Sequence, residues 1–261
     1  MDDVVVERRE DVAIVRLNRP DRGNSVTPAV VTELGDVVEA LCADDSVRAV
    51  VITGTGGVFC AGADVQEMYG VYRADGPDGL MAYLADVWMP AVQHTVRRLW
   101  AASKPTVAAF NGAATAGGLD FGLTCDARVA ADQARFGESY VNLGMVPVAG
   151  GAYLLPSLVG QAKATTLLAT GRLIDAEEAQ RLGLVDHVCT SGELIDHACA
   201  LANELSHGPA ETFARTKRVV RAAETPRLEA ALDESLQANI DLIARGEVRE
   251  RIVAVMERFS R

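Results

Sequence analysis

Short apolar runs alternate with longer amphipathic stretches over the first two thirds of the chain. The runs "VVVERR", "VAIVRL", "VRAVVITG", "TVAAF" and "ARVAADQARFG" predict strands, because they are rich in apolar and β-branched residues. Helices are predicted between several of them. The first covers residues 27–43, where Thr27 can cap the helix and Pro28 suits its first turn. This alternation predicts a mixed α/β core.

The same pattern divides the rest of the chain. Residues 63–79 begin with helical spacing and become rich in Gly and Pro, which predicts a loop before a long helix over 80–103. Asp175 is a predicted helix cap. Beyond about residue 192 the pattern is helical and more charged. We therefore predict a core over residues 1–195 and a helical segment over 196–261. Its packed face is predicted from a four-residue spacing: Leu228, Leu232, Leu236 and Ile240.

Composition narrows the function. The 261 residues include 36 acidic and 25 basic side chains, giving a net charge of −11, which argues against nucleic-acid binding. Five cysteines without C-x-x-C spacing, together with four histidines, favour neither a metal site nor a disulfide framework. A cytoplasmic location is expected. No apolar run is long enough to cross a membrane, so no membrane association is expected.

Two glycine-rich turns are candidates for chemistry. Gly54 and Gly56 begin a dinucleotide-binding pattern, but Phe59 stands where the third glycine should be. A different interpretation uses "FCAGAD" (59–64) together with "AGGLD" (116–120). Each follows an apolar strand and precedes a helix, so exposed N–H groups from both turns could form an oxyanion hole. Tight turns or close helix packing would also explain these glycines.

These turns and their flanks resemble the enoyl-CoA hydratase/isomerase (crotonase) superfamily. The similarity covers most of residues 12–190 and is carried by "LNRPDRGNSV", "VVITGTGGVFCAGADVQEM", "KPTVAAFNGAATAGGLDFGLTCDARVAADQARFGESYVNLGMVPVAGGAYLLPSLVG" and "TGRLIDAEEAQRLGLVDHV". The resemblance implies an α/β spiral of ββα units. It also implies a C-terminal helical trimerisation segment, and hence a homotrimer or a dimer of trimers.

The resemblance implies an acyl-CoA thioester substrate whose carbonyl oxygen is bound by the main-chain N–H groups of Ala63 and Gly117. Hydratases of this family use two glutamates, and their positions match Asp120 and Tyr140 here. Glu138 lies two residues before Tyr140, on the same side of an extended stretch. We expect Asp120 to act as general acid or base, Tyr140 to orient water or donate a proton, and Glu138 to be a second acid. Alternatively, these side chains cap, face solvent or line the pocket.

The resemblance also implies a groove for the CoA part of the substrate, with no separate cofactor. Arg19 lies in the same region but could be a solvated surface residue, and Arg258 resembles a CoA contact. The remaining CoA or substrate contacts that it implies are Arg22, Ser25, Ala61, Asp64, Val65 and Phe259.

Three functions follow from the resemblance. Hydration of a 2-enoyl-CoA is the general expectation. Double-bond isomerisation is an alternative because it can use a single acid or base, and a non-catalytic acyl-CoA binder is another. A dehalogenase of the same superfamily would need a catalytic histidine, but the spacing around His94 does not match.

Overall fold

The computed structural model describes residues 2–259, with the side chain of Phe259 outside that description. Within this range the strands are β1 (Val4–Arg9), β2 (Val12–Leu17), β3 (Ala49–Gly54), β4 (Val58–Cys60), β5 (Thr106–Phe110), β6 (Ala113–Thr115), β7 (Ala127–Ala131), β8 (Arg135–Gly137), β9 (Ile174–Asp175) and β10 (His187–Cys189).

The α-helices are α1 (Pro28–Ala43), α2 (Val65–Tyr83), α3 (Met89–Ala101), α4 (Gly117–Leu123), α5 (Gly151–Val159), α6 (Gln161–Thr170), α7 (Ala176–Arg181), α8 (Leu194–Leu205), α9 (Ala210–Arg221), α10 (Thr225–Ala244) and α11 (Glu247–Phe259). Two short 3-10 helices cover Pro20–Arg22 and Ser139–Leu143, and a π-helical turn covers Leu84–Trp88.

These strands form two sheets, in which neighbouring strands are parallel except for the antiparallel pairs β1 with β2 and β8 with β9. The six-stranded sheet has the order β1-β2-β3-β5-β7-β10, and the four-stranded sheet has the order β4-β6-β8-β9. In three successive pairs (β3 and β4, β5 and β6, β7 and β8), the first strand enters the large sheet and the second enters the small one. Helices follow β4 and β6. This is the predicted repetition of ββα units.

The small sheet positions the candidate site. Its strands β4, β6 and β8 are parallel neighbours, so their carboxyl ends lie at one edge. Ala63 follows β4, Gly117 follows β6 and Tyr140 follows β8. Residues that are far apart in sequence are therefore brought together by strand order.

Two predicted helix starts are confirmed. The Thr27 hydroxyl accepts a hydrogen bond from the Val30 N–H at 3.3 Å, and Pro28 occupies the first helical turn. The Asp175 carboxylate accepts one from the Glu178 N–H at 2.8 Å. Both caps are local, so the sequence alone contains the signal.

Two predictions along the chain are wrong. The Gly- and Pro-rich stretch before residue 80 is not a loop, because α2 continues through it with a kink at Gly76, where φ is 70°. Packing of Leu80 and Met81 into the core stabilises this segment. The single strand predicted over 127–137 is instead two strands, which enter different sheets.

The C-terminal segment is helical, as predicted, and its first helix packs on the large sheet. Leu194 and Ala198 of α8 lie in one apolar layer with Val51 and Val107. The division at residue 195 stays a prediction. None of the helices within residues 2–259 has the length and apolarity needed to cross a membrane.

The buried face of α10 follows a shorter spacing than the predicted one. Leu228, Leu232, Ser235 and Asn239 are buried, whereas 36% of Ile240 is exposed. An α-helix has 3.6 residues per turn, so a strict four-residue spacing moves off the buried face by the third step.

Candidate active site

Two main-chain N–H groups stand free at the edge of the small sheet. Ala63 lies beside Val26 in an isolated bridge whose hydrogen bonds use Gly62 and Asp64 instead, and Gly117 is the first residue of α4. Within residues 2–259, neither N–H donates to a backbone acceptor. Both residues line one cavity. Their amides can therefore serve a ligand oxygen.

Close backbone packing keeps the two turns together. A Cβ atom added to Gly118 would lie 2.2 Å from the Cys60 carbonyl oxygen, a contact that only glycine permits. Ala116, directly before α4, has a φ of 49°, which is strained for a residue with a side chain. The strained conformation of Ala116 is the energetic cost of an orientation that exposes the Gly117 amide.

Tyr140 connects the cavity to a buried carboxylate. Its hydroxyl donates a hydrogen bond of 2.9 Å to Asp120 Oδ2. A Cβ atom added to Gly117 would lie 3.3 Å from this hydroxyl, so the phenol stands beside the free amide. Tyr140 lines the cavity, whereas Asp120 is fully buried and does not. A proton exchanged with a ligand would therefore pass through the phenol.

Glu138 lies deeper, against Asp120. Its side chain is 1% exposed, and neither carboxyl oxygen has a hydrogen-bond donor in the described chain. Gly151, at the start of α5, contacts both acids: a Cβ atom there would lie 2.2 Å from Asp120 Oδ1 and 2.7 Å from Glu138 Oε1. Glu138 is not a cavity-lining residue.

Burial dominates the protonation of this cluster. It raises the pKa of Asp120 to about 7, although the Tyr140 hydroxyl, Glu138 and the Gly151 amide act in the opposite direction. Burial and the charge of Asp120 raise the pKa of Glu138 well above its ordinary value. The pKa of Tyr140 is raised well above its usual range for the same two reasons. Asp120 can therefore change protonation state near neutral pH.

The cavity beside these groups is apolar. Its volume is about 250 Å³, and among the described residues none of the lining side chains is charged. Met68, Leu84 and Trp88 form part of the wall, while Ile252 and Met256 of α11 add another part. The Arg249 guanidinium pairs with Asp78 of α2 at 2.6 Å, which ties α11 to the helix beside the cavity.

The residues predicted for CoA binding fall into different environments. Ala61 and Val65 line the cavity, whereas Arg22 and Ser25 do not. Ser25 is 6% exposed. The Arg22 guanidinium donates a hydrogen bond to Gln66. Because 41% of the side chain is exposed, the guanidinium remains accessible to a phosphate. The predicted contact of Phe259 lies outside the described side chains.

Asp64 has a local structural role. Its carboxylate caps α2 by accepting hydrogen bonds from the N–H groups of Gln66 at 2.9 Å and Glu67 at 3.1 Å. It also pairs with Arg19 at 2.8 Å. Asp64 therefore supports the turn that carries Ala63, and any contribution to CoA binding would be indirect.

Free amides at an apolar cavity, with a phenol and a buried acid beside them, form an arrangement that can stabilise an oxyanion and transfer a proton. The chain belongs to the enoyl-CoA hydratase/isomerase family, because the family profile of that description matches residues 7–260. The crotonase fold predicted from the sequence is confirmed by solved enoyl-CoA hydratases.

Individual relatives can be aligned with this chain over most of their length. A probable enoyl-CoA hydratase of Mycobacterium bovis is 36% identical, with 89% of this chain and 85% of the relative covered. The 2,3-dehydroadipyl-CoA hydratase of Escherichia coli is 32% identical over 99% of this chain and 97% of its own. The structure of an enoyl-CoA hydratase from Bacillus halodurans matches with a TM-score of 0.86 and 25% identity, covering 97% of this chain and all of the other.

Sequence reasoning missed three contributors to the site. Gly118 and Gly151 matter through what a side chain would displace, and each is the second glycine of a "GG" pair that precedes or begins a helix. Met256 belongs to a helix near the C-terminus whose position over the cavity no local pattern indicates. His94 is exposed on α3, and it is not among the cavity-lining residues.

The substitution Gly151→Ala should disturb both acids at once. The new methyl group would overlap Asp120 Oδ1, so we expect a loss of about 1–3 kcal/mol in the free energy of unfolding. Misplacement of the acids should also lower kcat/KM by at least roughly tenfold. Urea unfolding and steady-state kinetics measure these effects. Gly192→Ala is the matched control, because no atom lies within 4 Å of its added Cβ. Equal behaviour of the two variants would contradict the packing described.

Proposed function

We propose that this enzyme adds water across the C2=C3 bond of a 2-enoyl-CoA, with the thioester oxygen held by the amides of Ala63 and Gly117. The observation that carries the proposal is that Tyr140, a cavity-lining residue, donates its hydroxyl hydrogen bond to Asp120 next to Gly117. The names of the relatives support hydration. CoA is part of the substrate, and no further cofactor is required because the addition of water and the accompanying proton transfers involve no net oxidation or reduction.

One relay can complete the addition. Water attacks C3 and transfers a proton to the Tyr140 oxygen as the phenol proton moves to Asp120. The C2=C3 electron pair moves onto the thioester, and the amides stabilise the enolate oxygen that forms. Tyr140 then protonates C2 and recovers its proton from Asp120. The product carries hydroxyl at C3 and hydrogen at C2, and both residues return to their initial states.

Double-bond isomerisation is the second candidate. Asp120 and Glu138 do not line the cavity, so a single phenol–carboxylate relay reaches the ligand. One acid–base group is sufficient to move a proton from C2 of a 3-enoyl-CoA to C4. The same oxyanion hole would stabilise the dienolate.

An ultraviolet assay separates these reactions. With crotonyl-CoA, the wild-type enzyme should remove the enoyl absorbance by hydration. The Asp120→Asn variant should leave this absorbance unchanged. With a 3-enoyl-CoA, a gain of conjugated absorbance would favour isomerisation. Tight binding of both compounds without any spectral change would identify a non-catalytic binder and contradict the proposal.

The acyl group is proposed to be neutral and apolar. A terminal carboxylate inside this cavity would lose water without meeting a cationic side chain of the part of the chain that the structure describes. We expect kcat/KM for 2-hexenoyl-CoA to exceed that for 2,3-dehydroadipyl-CoA, the six-carbon counterpart with a terminal carboxylate, by roughly 10²-fold. Competition between the two compounds measures this ratio directly. A ratio near one would show that the carboxylate finds a partner or remains in water.

Assembly and location are further parts of the proposal. A homotrimer or a dimer of trimers would cover the exposed apolar residues Val219 and Val220 of α9, which are 74% and 69% accessible. A cytoplasmic location fits five cysteines that are all free. The net charge of −11 supports the absence of a nucleic-acid partner.

A further inference from the structure

Glu138 is a buried ionisable group that the proposed relay does not use. It follows β8 and interacts with Asp120, and it is not among the residues that line the cavity. Three carboxyl oxygens in this cluster have no hydrogen-bond donor within the described residues: Asp120 Oδ1 and both oxygens of Glu138. Such unpaired atoms are costly in a protein interior and require an explanation.

The surroundings of Glu138 cannot stabilise two negative charges. Asp120 faces it from α4, Tyr140 from the 3-10 helix, and the Cα of Gly151 from the start of α5. None of these groups is a cation. Two carboxyl groups in contact, without a cation, hold a proton between them at neutral pH.

One proton accounts for two of the three unpaired oxygens. Two ionised carboxyl groups can only accept hydrogen bonds, so neither can donate a hydrogen bond to the other. Asp120 Oδ1 and Glu138 Oε1 lie 2.2 Å and 2.7 Å from the same point, the Cβ position of Gly151, and the two acids act on each other as hydrogen-bond partners. A proton on either acid would make this contact a hydrogen bond.

The hydrogen-bond donors decide which acid carries the proton. Asp120 accepts from the Tyr140 hydroxyl and faces the Gly151 amide, and both favour its ionised form. Glu138 has no comparable donor among the described residues. We infer that Glu138 is a positioning residue: a neutral carboxylic acid that donates its proton to Asp120 Oδ1 and holds Asp120 ionised and aligned with Tyr140. This inference rests on the proposed relay.

Two substitutions separate a neutral donor from other roles. Glu138→Gln keeps an N–H donor of similar size, so kcat/KM should stay within about threefold of the wild type and the acidic limb of its pH profile should not move. Glu138→Leu removes the donor. The ionised form of Asp120 then loses a hydrogen bond, and the acidic limb should move upward by about one pH unit.

The direction of this movement is diagnostic. If Glu138 carried a negative charge in the wild type, the Leu variant would relieve repulsion and the limb would move downward. A downward shift, an unmoved limb, or a Gln variant as inactive as Asp120→Asn would each overturn the inference. Thermal unfolding confirms that the variants compared are folded.

Infrared difference spectroscopy tests the protonation of Glu138 without any turnover. At pH 8 the wild type and the Asp120→Asn variant should show the carbonyl band of a buried neutral carboxylic acid, and Glu138→Gln should lack it. This readout remains valid if the reaction is isomerisation or if Glu138→Leu does not fold. Absence of the band from the wild type would refute the neutral acid while leaving the proposed function intact.

Discussion

The substitutions Asp120→Asn and Tyr140→Phe are expected to lower kcat by roughly 10²–10⁴-fold, the contribution of a positioned acid–base group. Asn at position 120 can still accept the Tyr140 hydrogen bond but cannot take up its proton. Phe at position 140 keeps the ring and removes the hydroxyl that donates to Asp120. Neither change affects the free amides of Ala63 and Gly117, so acyl-CoA affinity should change little.

The double variant provides the sharper test. Because the two residues act as one relay, we expect the double variant Asp120→Asn with Tyr140→Phe to have the same kcat, within a few-fold, as the less active of the two single variants. Tyr153→Phe is a matched control, since its hydroxyl contacts Glu224 rather than the relay. Losses that multiply in the double variant would mean that Tyr140 and Asp120 act separately.

The acid limb of the pH profile belongs to the same relay. Asp120 must be ionised to receive the phenol proton, and burial raises its pKa to about 7. Activity should therefore fall as the pH decreases below about 7. An exposed aspartate would keep full activity to a pH near 4.

The substitution Gly118→Ala is expected to produce the second large effect, through the oxyanion hole. Its methyl group would lie 2.2 Å from the Cys60 carbonyl oxygen, so α4 or the turn after β4 must shift. That shift separates the Gly117 amide from the Ala63 amide. Loss of one oxyanion donor typically costs about 10²–10³-fold in kcat, and we expect a loss of this size.

A second glycine on a helix is the control for this substitution. Gly70→Ala on α2 meets no atom within 4 Å of the added Cβ and should leave turnover unchanged. The free energy of unfolding, measured in urea, separates a local shift from global loss of structure. A folded Gly118→Ala enzyme with wild-type kcat would show that the spacing of the two turns is unimportant.

Local sequence signals were sufficient for part of the site. Small residues after β4 and β6 predict accessible amides, and the structure shows that the Ala63 and Gly117 amides are free. The parallel order of β4, β6 and β8 then brings those amides beside Tyr140. The caps at Thr27 and Asp175 could be predicted for the same local reason.

Other features depend on contacts between distant elements. The position of Tyr140 between the cavity and Asp120 follows from side-chain packing, which no spacing rule provides. Gly151 contacts both acids only because α5 begins against α4. The kinked continuation of α2 was missed because burial of Leu80 and Met81 outweighs the local preference of Gly and Pro. Tertiary contacts decide these features.

A crystal structure with bound butyryl-CoA, which lacks the reactive double bond, tests the central claim most directly. We predict that the thioester oxygen lies about 2.7–3.1 Å from the N–H nitrogen atoms of both Ala63 and Gly117. The acyl chain should enter the apolar cavity, and the Tyr140 hydroxyl should face the C2–C3 bond. A thioester oxygen bound by other groups, with the two amides left facing solvent or protein, would contradict the account.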